Sequence, residues 1–152
     1  MKYVFDSGPF ICSTNYYPSV FKKFWSEITQ LVNDQNIISV REVFREITRL
    51  ENSISDWAKQ HEEIFEEPTR IEFEIVKSIL KNHRELIENR KITGGLPVAD
   101  PFVIAKAKTN NLIVVTQELY KENAHKIPNI CRELNVKYMT FEEFMLNESW
   151  EF

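Results

Sequence analysis

The stretch Lys2-Tyr3-Val4-Phe5-Asp6-Ser7-Gly8-Pro9 opens the chain with a short β-prone run that stops at an acidic residue and passes at once into turn chemistry. Tyr, Val and Phe suit a pleated strand, whereas Asp-Ser-Gly-Pro suits a turn or the first turn of a helix. Working outward, three more runs share this character: Asn36 to Ile38, Leu112 to Val115 and Val136 to Met139. Strands are expected there and over Lys2 to Phe5. Between them, Val20, Phe24, Ile28, Leu31 and then Val43, Ile47, Leu50 recur at helical spacing. Strands alternating with crossover helices imply an α/β fold built on a parallel sheet.

The punctuation supports that alternation. Asn36, Asn111 and Asn135 each stand between a helical run and the next strand, where Asn tolerates the left-handed conformation that ends a helix. Ser39 with Glu42 and Thr140 with Glu143 have capping-box spacing, and Pro128 suits a first helical position. From Asn52 to Gly95 there is no strand signal, while Ile71, Ile75, Ile79, His83, Leu86 and Ile87 trace a helical stripe. A helical arm or insertion over 52–95 within a single 1–152 domain is the expectation. Gly94 and Gly95 mark Thr93 to Pro97 as a flexible loop directly before Asp100.

Composition narrows the class. The chain has 152 residues, 43% hydrophobic and 28% charged, with a formal charge of -4. A chain of this length buries roughly 70% of its unfolded surface and holds a core without disulfide or structural metal. The acidic balance argues against a protein that coats DNA, whose affinity rests on a positive surface. No apolar run approaches a membrane span or a signal peptide, so a cytoplasmic chain with no membrane partner is expected. Cys12 and Cys131 lack CxxC spacing and lie in apolar stretches, which reads as reduced core thiols. There is no GxxxxGK loop, which removes phosphate-transferring enzymes of the P-loop kind.

In a parallel α/β sheet the strand C-termini and helix N-termini meet at one edge, where ligands bind. The carboxylates expected there are Asp6 after the first strand, Glu118 after the strand ending Val115-Thr116, Asp100 at the start of the helix before that strand, and Glu46 on the helix after the second strand. Each has an ordinary structural reading. Asp6 and Asp100, the latter before Pro101, fit helix caps, and Glu118 fits a helix dipole. Glu46 fits a solvated helix face with Glu42, Arg45 and Arg49. Glu42 competes with Glu46, and Glu46 is preferred because the capping box with Ser39 already employs Glu42. Together, several carboxylates at one edge would raise one another's pKa unless a divalent cation compensates them. Oxygen ligands select Mg²⁺ or Mn²⁺ over zinc, and the reaction class that follows is metal-assisted phosphodiester hydrolysis.

These residues resemble the PIN-domain nucleases, including the VapC-type toxins. The resemblance lies in Val4-Phe5-Asp6-Ser7, Ile38-Ser39, Glu46-Ile47, Ala99-Asp100-Pro101-Phe102-Val103-Ile104-Ala105 and Val114-Val115-Thr116-Gln117-Glu118, in an order that covers most of the chain. The words Asp6-Ser7-Gly8-Pro9-Phe10-Ile11, Tyr16-Tyr17-Pro18, Phe24-Trp25, Asp56-Trp57 and Ile127-Pro128-Asn129-Ile130-Cys131 resemble a poorly characterised PIN-like subgroup suspected of being toxins. The resemblance implies a three-layer α/β/α fold with a central sheet of four or five short strands. It also implies an acidic pocket for Mg²⁺ or Mn²⁺ and hydrolysis of RNA. In that reading Asp6, Glu46 and Asp100 are the primary metal-site acids and Glu118 is the fourth, while Thr116 and Ser7 orient ligands or water. The implied partners are an RNA substrate and a protein antitoxin, with a homo-oligomer left open. The chain departs from the family pattern in Glu118, where Asp or Asn is usual, in Gly8-Pro9, and in the long 52–95 insertion.

Arg41, Arg45 and Arg49 recur at i, i+4 and i+8, a row that suits either an RNA backbone or ion pairs with Glu42 and Glu46. Lys22, Lys23, Arg90, Lys91, Lys106 and Lys108 are further surface candidates. His61, His83 and His125 show no ligand spacing and no nucleophile word, and are read as surface or partly buried helix residues. Trp25 is expected in the core, and Trp150 with Phe152 to dock a tail or a partner. The competing reading is a catalytically degenerate PIN-like module that binds RNA or protein through its helical insertion.

Overall fold

A computed structural model describes residues 2–88 and 98–152. Its strands are β1 (Tyr3–Phe5), β2 (Ile37–Val40), β3 (Phe65–Glu66), β4 (Ile113–Val115) and β5 (Tyr138–Met139), in the spatial order β3-β2-β1-β4-β5. Every pairing is parallel, with Tyr3 opposite both Ile37 and Ile113. The helices are α1 (Ser7–Cys12), α2 (Lys22–Asn33), α3 (Arg41–Thr48), α4 (Ser53–Gln60), α5 (Arg70–Asn82), α6 (Glu85–Glu88), α7 (Asp100–Asn110), α8 (Ile127–Leu134) and α9 (Phe141–Asn147). The fold is a three-layer α/β/α arrangement. No helix among the described residues is long and apolar enough to cross a membrane.

Alternation along β1 sorts the layers, because successive strand side chains point to opposite faces. Phe5 meets Phe10 of α1 and Phe141 and Phe144 of α9, and Tyr3 also meets Phe144. Phe24 of α2 joins the same aromatic layer through Phe141. Helices α5 and α8 both pack on α7, and α7 lies against β1, β2 and β4. Residues 102–105 and 107 of α7 are buried on every side, so this helix is a central pillar and not an amphipathic cover.

The helix ends follow the sequence with one shift. Asn111 and Asn135 take the left-handed conformation at φ 53° and 59°, but before β2 that role falls to Gln35, also at φ 59°, and not to Asn36. The Ser39–Glu42 capping box does not form. Ser39 belongs to β2, its hydroxyl donates to the Phe5 carbonyl at 2.6 Å, and Val40 is the cap of α3. Cross-strand bonding thus outcompetes the local cap, which joins β2 to the end of β1. Thr140 does cap α9 by accepting from the Glu143 N–H at 3.1 Å, and Pro128 is in the first turn of α8, after Ile127. A full capping box does form at Thr69 with Glu72, at the start of α5.

The 52–95 insertion is not only helical. Phe65 and Glu66 pair with Ser39 and Val40 as the fifth strand, too short to show alternation and set among glutamates. The rest of the insertion is packed, with α4 against α3 and α5 against α7. The Thr93 to Pro97 loop, with Gly94 and Gly95, lies outside the described residues, as do Arg90 and Lys91. Both cysteines are free thiols, Cys131 buried and Cys12 half-buried. Trp25 is half-buried with its indole N–H bonded to the Tyr16 carbonyl, and Trp150 and Phe152 fold back onto Phe24.

Candidate functional site

The end of β1 carries the first acid. Asp6 stands at the cap position of α1 but makes no capping bond, so the helix-cap reading does not hold for its carboxylate. Its N–H instead extends the sheet to the Val115 carbonyl at 3.0 Å, and its Oδ2 accepts from the Thr116 hydroxyl at 3.1 Å. Thr116 is fully buried, and its Oγ1 also accepts from the Glu118 N–H at 3.1 Å. One hydroxyl therefore ties the end of β1 to the turn after β4. Gly8 permits this approach, since a Cβ there would stand 3.0 Å from the Gln117 Cβ.

Asp100 is the first residue of α7 and Ala99 is its cap, so the expected Asp100 cap is not formed either. Asp100 is half-buried on the wall of a cleft of about 450 Å³ that Glu118, Glu85 and the 121–126 segment also line. Glu118 does serve a helix: its Oε2 accepts from the Ile127 N–H, the first of α8, at 2.8 Å. Glu46, on α3, faces neither solvent nor an arginine row alone. The Ser7 hydroxyl, the Ala99 N–H and the Arg49 charge all act on its carboxylate and favour its ionised form. Asp6 and Glu46 are not part of the wall of that cleft.

The electrostatics join all four acids. Burial, followed by the charges of Glu118 and Glu46, pushes the Asp6 carboxyl up to about 7 against the pull of the Ser7 N–H and the Thr116 hydroxyl. Burial and then the charges of Asp6, Glu118 and Glu46 hold Asp100 well above the usual carboxylate range. Glu46 is raised as well, first by burial. Four carboxylates from β1, α3, α7 and the turn after β4 thus share one edge of the sheet and repel one another. Beneath them the Cys131 thiol is pushed up to about 12 by burial and then by Glu118, Asp100 and Asp6, which keeps it protonated.

The preference for Glu46 stands on different ground from the one the sequence offered. Glu42 is not in a capping box. It is 4% exposed, its Oε1 has no hydrogen-bond partner among the described residues, and its other oxygen meets Arg45 at 3.3 Å. Burial raises its pKa, and no acid of the cleft contributes to that rise.

The donor set fits a hard cation by chemistry, being oxygen-only with its adjacent thiol protonated. Among the described residues, no group of three or more His, Cys, Asp or Glu is already drawn together to hold an ion.

Several surface expectations are corrected. Lys106 is buried, ion-paired with Glu72 at 2.7 Å and hydrogen-bonded to Glu66 at 3.0 Å. Of the arginine row, Arg45 pairs with Glu42 at 3.3 Å as the ion-pair reading expects, while Arg41 turns to Glu62 at 2.7 Å and Arg45 also reaches Glu67, glutamates from beside β3. His83 is buried at 5% exposure and bonded to His125, an association that no sequence spacing signalled. The Ala99 N–H and the 121–126 wall were also missed, because backbone donors and loop walls leave no residue-type signature.

A profile of the family described as a domain of unknown function (DUF4411) matches residues 3–152, and the chain belongs to that family. Comparison with curated proteins finds no match.

Proposed function

We propose that this chain is a divalent-cation-dependent endoribonuclease acting through the acidic edge of its sheet, the toxin of a toxin–antitoxin pair. The observation that carries the reading is the mutual repulsion of Asp6, Glu46, Asp100 and Glu118, brought together from four separate elements. A fold retains such unfavourable proximity where something positively charged relieves it, and strongly raised carboxylates, one of them Asp100 on the wall of a cleft, are more typical of function than of stability. The resemblance to PIN-domain nucleases supplies the substrate class, RNA, and the expectation of a protein antitoxin.

Asp6, Asp100 and Glu118 would hold Mg²⁺ or Mn²⁺, with Glu46 completing the negative field. Such an ion supplies an activated water and stabilises charge on the phosphate. Thr116 holds the Asp6 carboxylate in place through its hydroxyl. The Ile127 N–H fixes one Glu118 oxygen.

The test is cleavage of RNA by the purified chain with Mg²⁺ or Mn²⁺, beside calorimetric titration of Mn²⁺ into wild type and Asp6→Asn. Cleavage and metal binding that both vanish in the variant support the reading. Metal binding unchanged by Asp6→Asn, or RNA left intact by the wild type, overturns it in favour of a non-catalytic binding module.

A further inference from the structure

The cleft that exposes Asp100 and Glu118 reaches a buried imidazole through one of its lining residues. His125 lines it, with its Nδ1 2.7 Å from the Nδ1 of His83 and its Nε2 3.5 Å from Glu85 Oε2. His83 is buried between α5 and α6, and its Nε2 lies 2.8 Å from Glu133 Oε2 of α8. The four side chains form one line running from the surface of α8, through the protein, into the cleft.

Hydrogen-bond chemistry decides where the protons are. An ionised carboxylate only accepts, so His83 Nε2 must carry a hydrogen toward Glu133. If both rings are neutral, His83 accepts at Nδ1, His125 donates from Nδ1, and His125 Nε2 is a bare lone pair. If the pair holds one more proton, either ring can be the imidazolium, because the hydrogen between the two Nδ1 atoms can belong to either. In both of those forms His125 Nε2 carries a hydrogen, directed at Glu85. Every arrangement compatible with the bonds therefore makes His125 Nε2 the atom at which a proton is gained or lost. A histidine whose inner nitrogen is held by a partner backed by a carboxylate is oriented as an acid–base group.

We propose that His125 is the proton donor to the leaving oxygen in phosphodiester cleavage at this cleft, with His83 and Glu133 as its positioning residues; the proposal rests on the ribonuclease reading above. In the step, the oxygen of water bonds to phosphorus and the bond from phosphorus to the leaving alcohol oxygen breaks. That oxygen takes the proton of His125 Nε2, the proton of the water passes to a cleft carboxylate, and solvent reprotonates His125. Glu85 is the resting acceptor for Nε2–H, and the other charged groups on the cleft wall are Asp100, Glu118, Lys121, Glu122 and Lys126.

The experiment uses an RNA oligonucleotide and the same oligonucleotide with sulfur in place of the leaving oxygen at the bond the wild type breaks, since a thiolate departs without a proton. His125→Gln should cut the oxygen substrate roughly 10²–10⁴-fold more slowly, the usual contribution of general acid catalysis. Its loss on the sulfur substrate should be no more than a few-fold. Glu133→Ala, on the surface of α8, should show the same pattern at about tenfold, and it keeps the test open if the His125 variant does not fold. Imidazole ¹⁵N shifts of the wild type should show the neutral His125 protonated at Nδ1. A wild type that cuts neither substrate overturns the ribonuclease reading and the donor role with it. Any other pattern on an active wild type, including equal losses on both substrates, or a neutral His125 protonated at Nε2, overturns the donor role alone.

Discussion

Helix α7 carries two sets of buried charge, and they are opposite in kind. At its N-terminus, Asp100 joins three other acids, and burial with like charge raises it well above the usual range. Farther along the same helix, Lys106 is enclosed by Glu72 and Glu66. There, burial works against both charges, but the bonds from Lys106 and Thr69 hold Glu72 below its ordinary pKa, and the two glutamates raise Lys106. The middle of α7 is balanced within the chain and fastens α5 and β3 to the pillar. At the end of α7 no salt bridge to Asp100 forms among the described residues, and that difference is what the proposed cation site rests on.

The comparison breaks most directly through substitutions on each side of it. Asp100→Asn should remove Mn²⁺-dependent RNA cleavage by 10³-fold or more, on the order of what a lost charge-stabilising group costs. It should leave the melting temperature unchanged or higher, since a repelling charge has gone. Lys106→Met should do the reverse, costing about 3–5 kcal/mol in urea unfolding because Glu72 is left buried and unpaired. Adding Glu72→Gln to it should recover part of that loss.

A smaller effect follows from the sign of the Asp6 shift. A carboxyl raised from 3.8 to about 7 in the folded chain contributes stability that is full below pH 3.8 and lost as the pH climbs through about 7. The metal-free protein should thus be less stable at pH 8.5 than at pH 5.5, by at most roughly 2 kcal/mol. Asp6→Asn should flatten that slope, and Mn²⁺ should restore stability at the upper pH. Denaturant midpoints in chelator and in Mn²⁺ read both outcomes.

Thr116→Val removes the hydroxyl that links Asp6 to the Glu118 N–H. About 1–2 kcal/mol of stability should go with it, along with a measurable part of the cleavage rate. Least of all should follow from Arg41→Ala, whose bond to the exposed Glu62 is worth under about 1 kcal/mol. A large loss of RNA cleavage there would instead give the arginine row a role in RNA contact.

Much of the frame was legible. Short β-runs ending in Asp6 and Thr116, and Asn111 and Asn135 at helix ends, are local features that backbone preference and periodicity express directly. The strand at Phe65-Glu66 was not legible, because a two-residue edge strand is defined by its partner and not by its own pattern. The Ser39–Glu42 box failed for a related reason: the same hydroxyl had a better acceptor across the sheet in Phe5. Lys106 read as surface because one lysine in an α-helix looks like any other until its glutamates, far away in sequence, enclose it.

What the sequence by itself determined is the alternation of strand and helix and, with it, the edge of the sheet to which Asp6, Asp100 and Glu118 belong. Only the tertiary structure decided that Glu46 and not Glu42 meets them, that Lys106 is neutralised within the fold, and that His83 and His125 share a proton. The physical reason is range. Hydrophobic period and turn preference act over a few residues, whereas the pairing or repulsion of charges depends on distances that exist only after the chain has closed on itself.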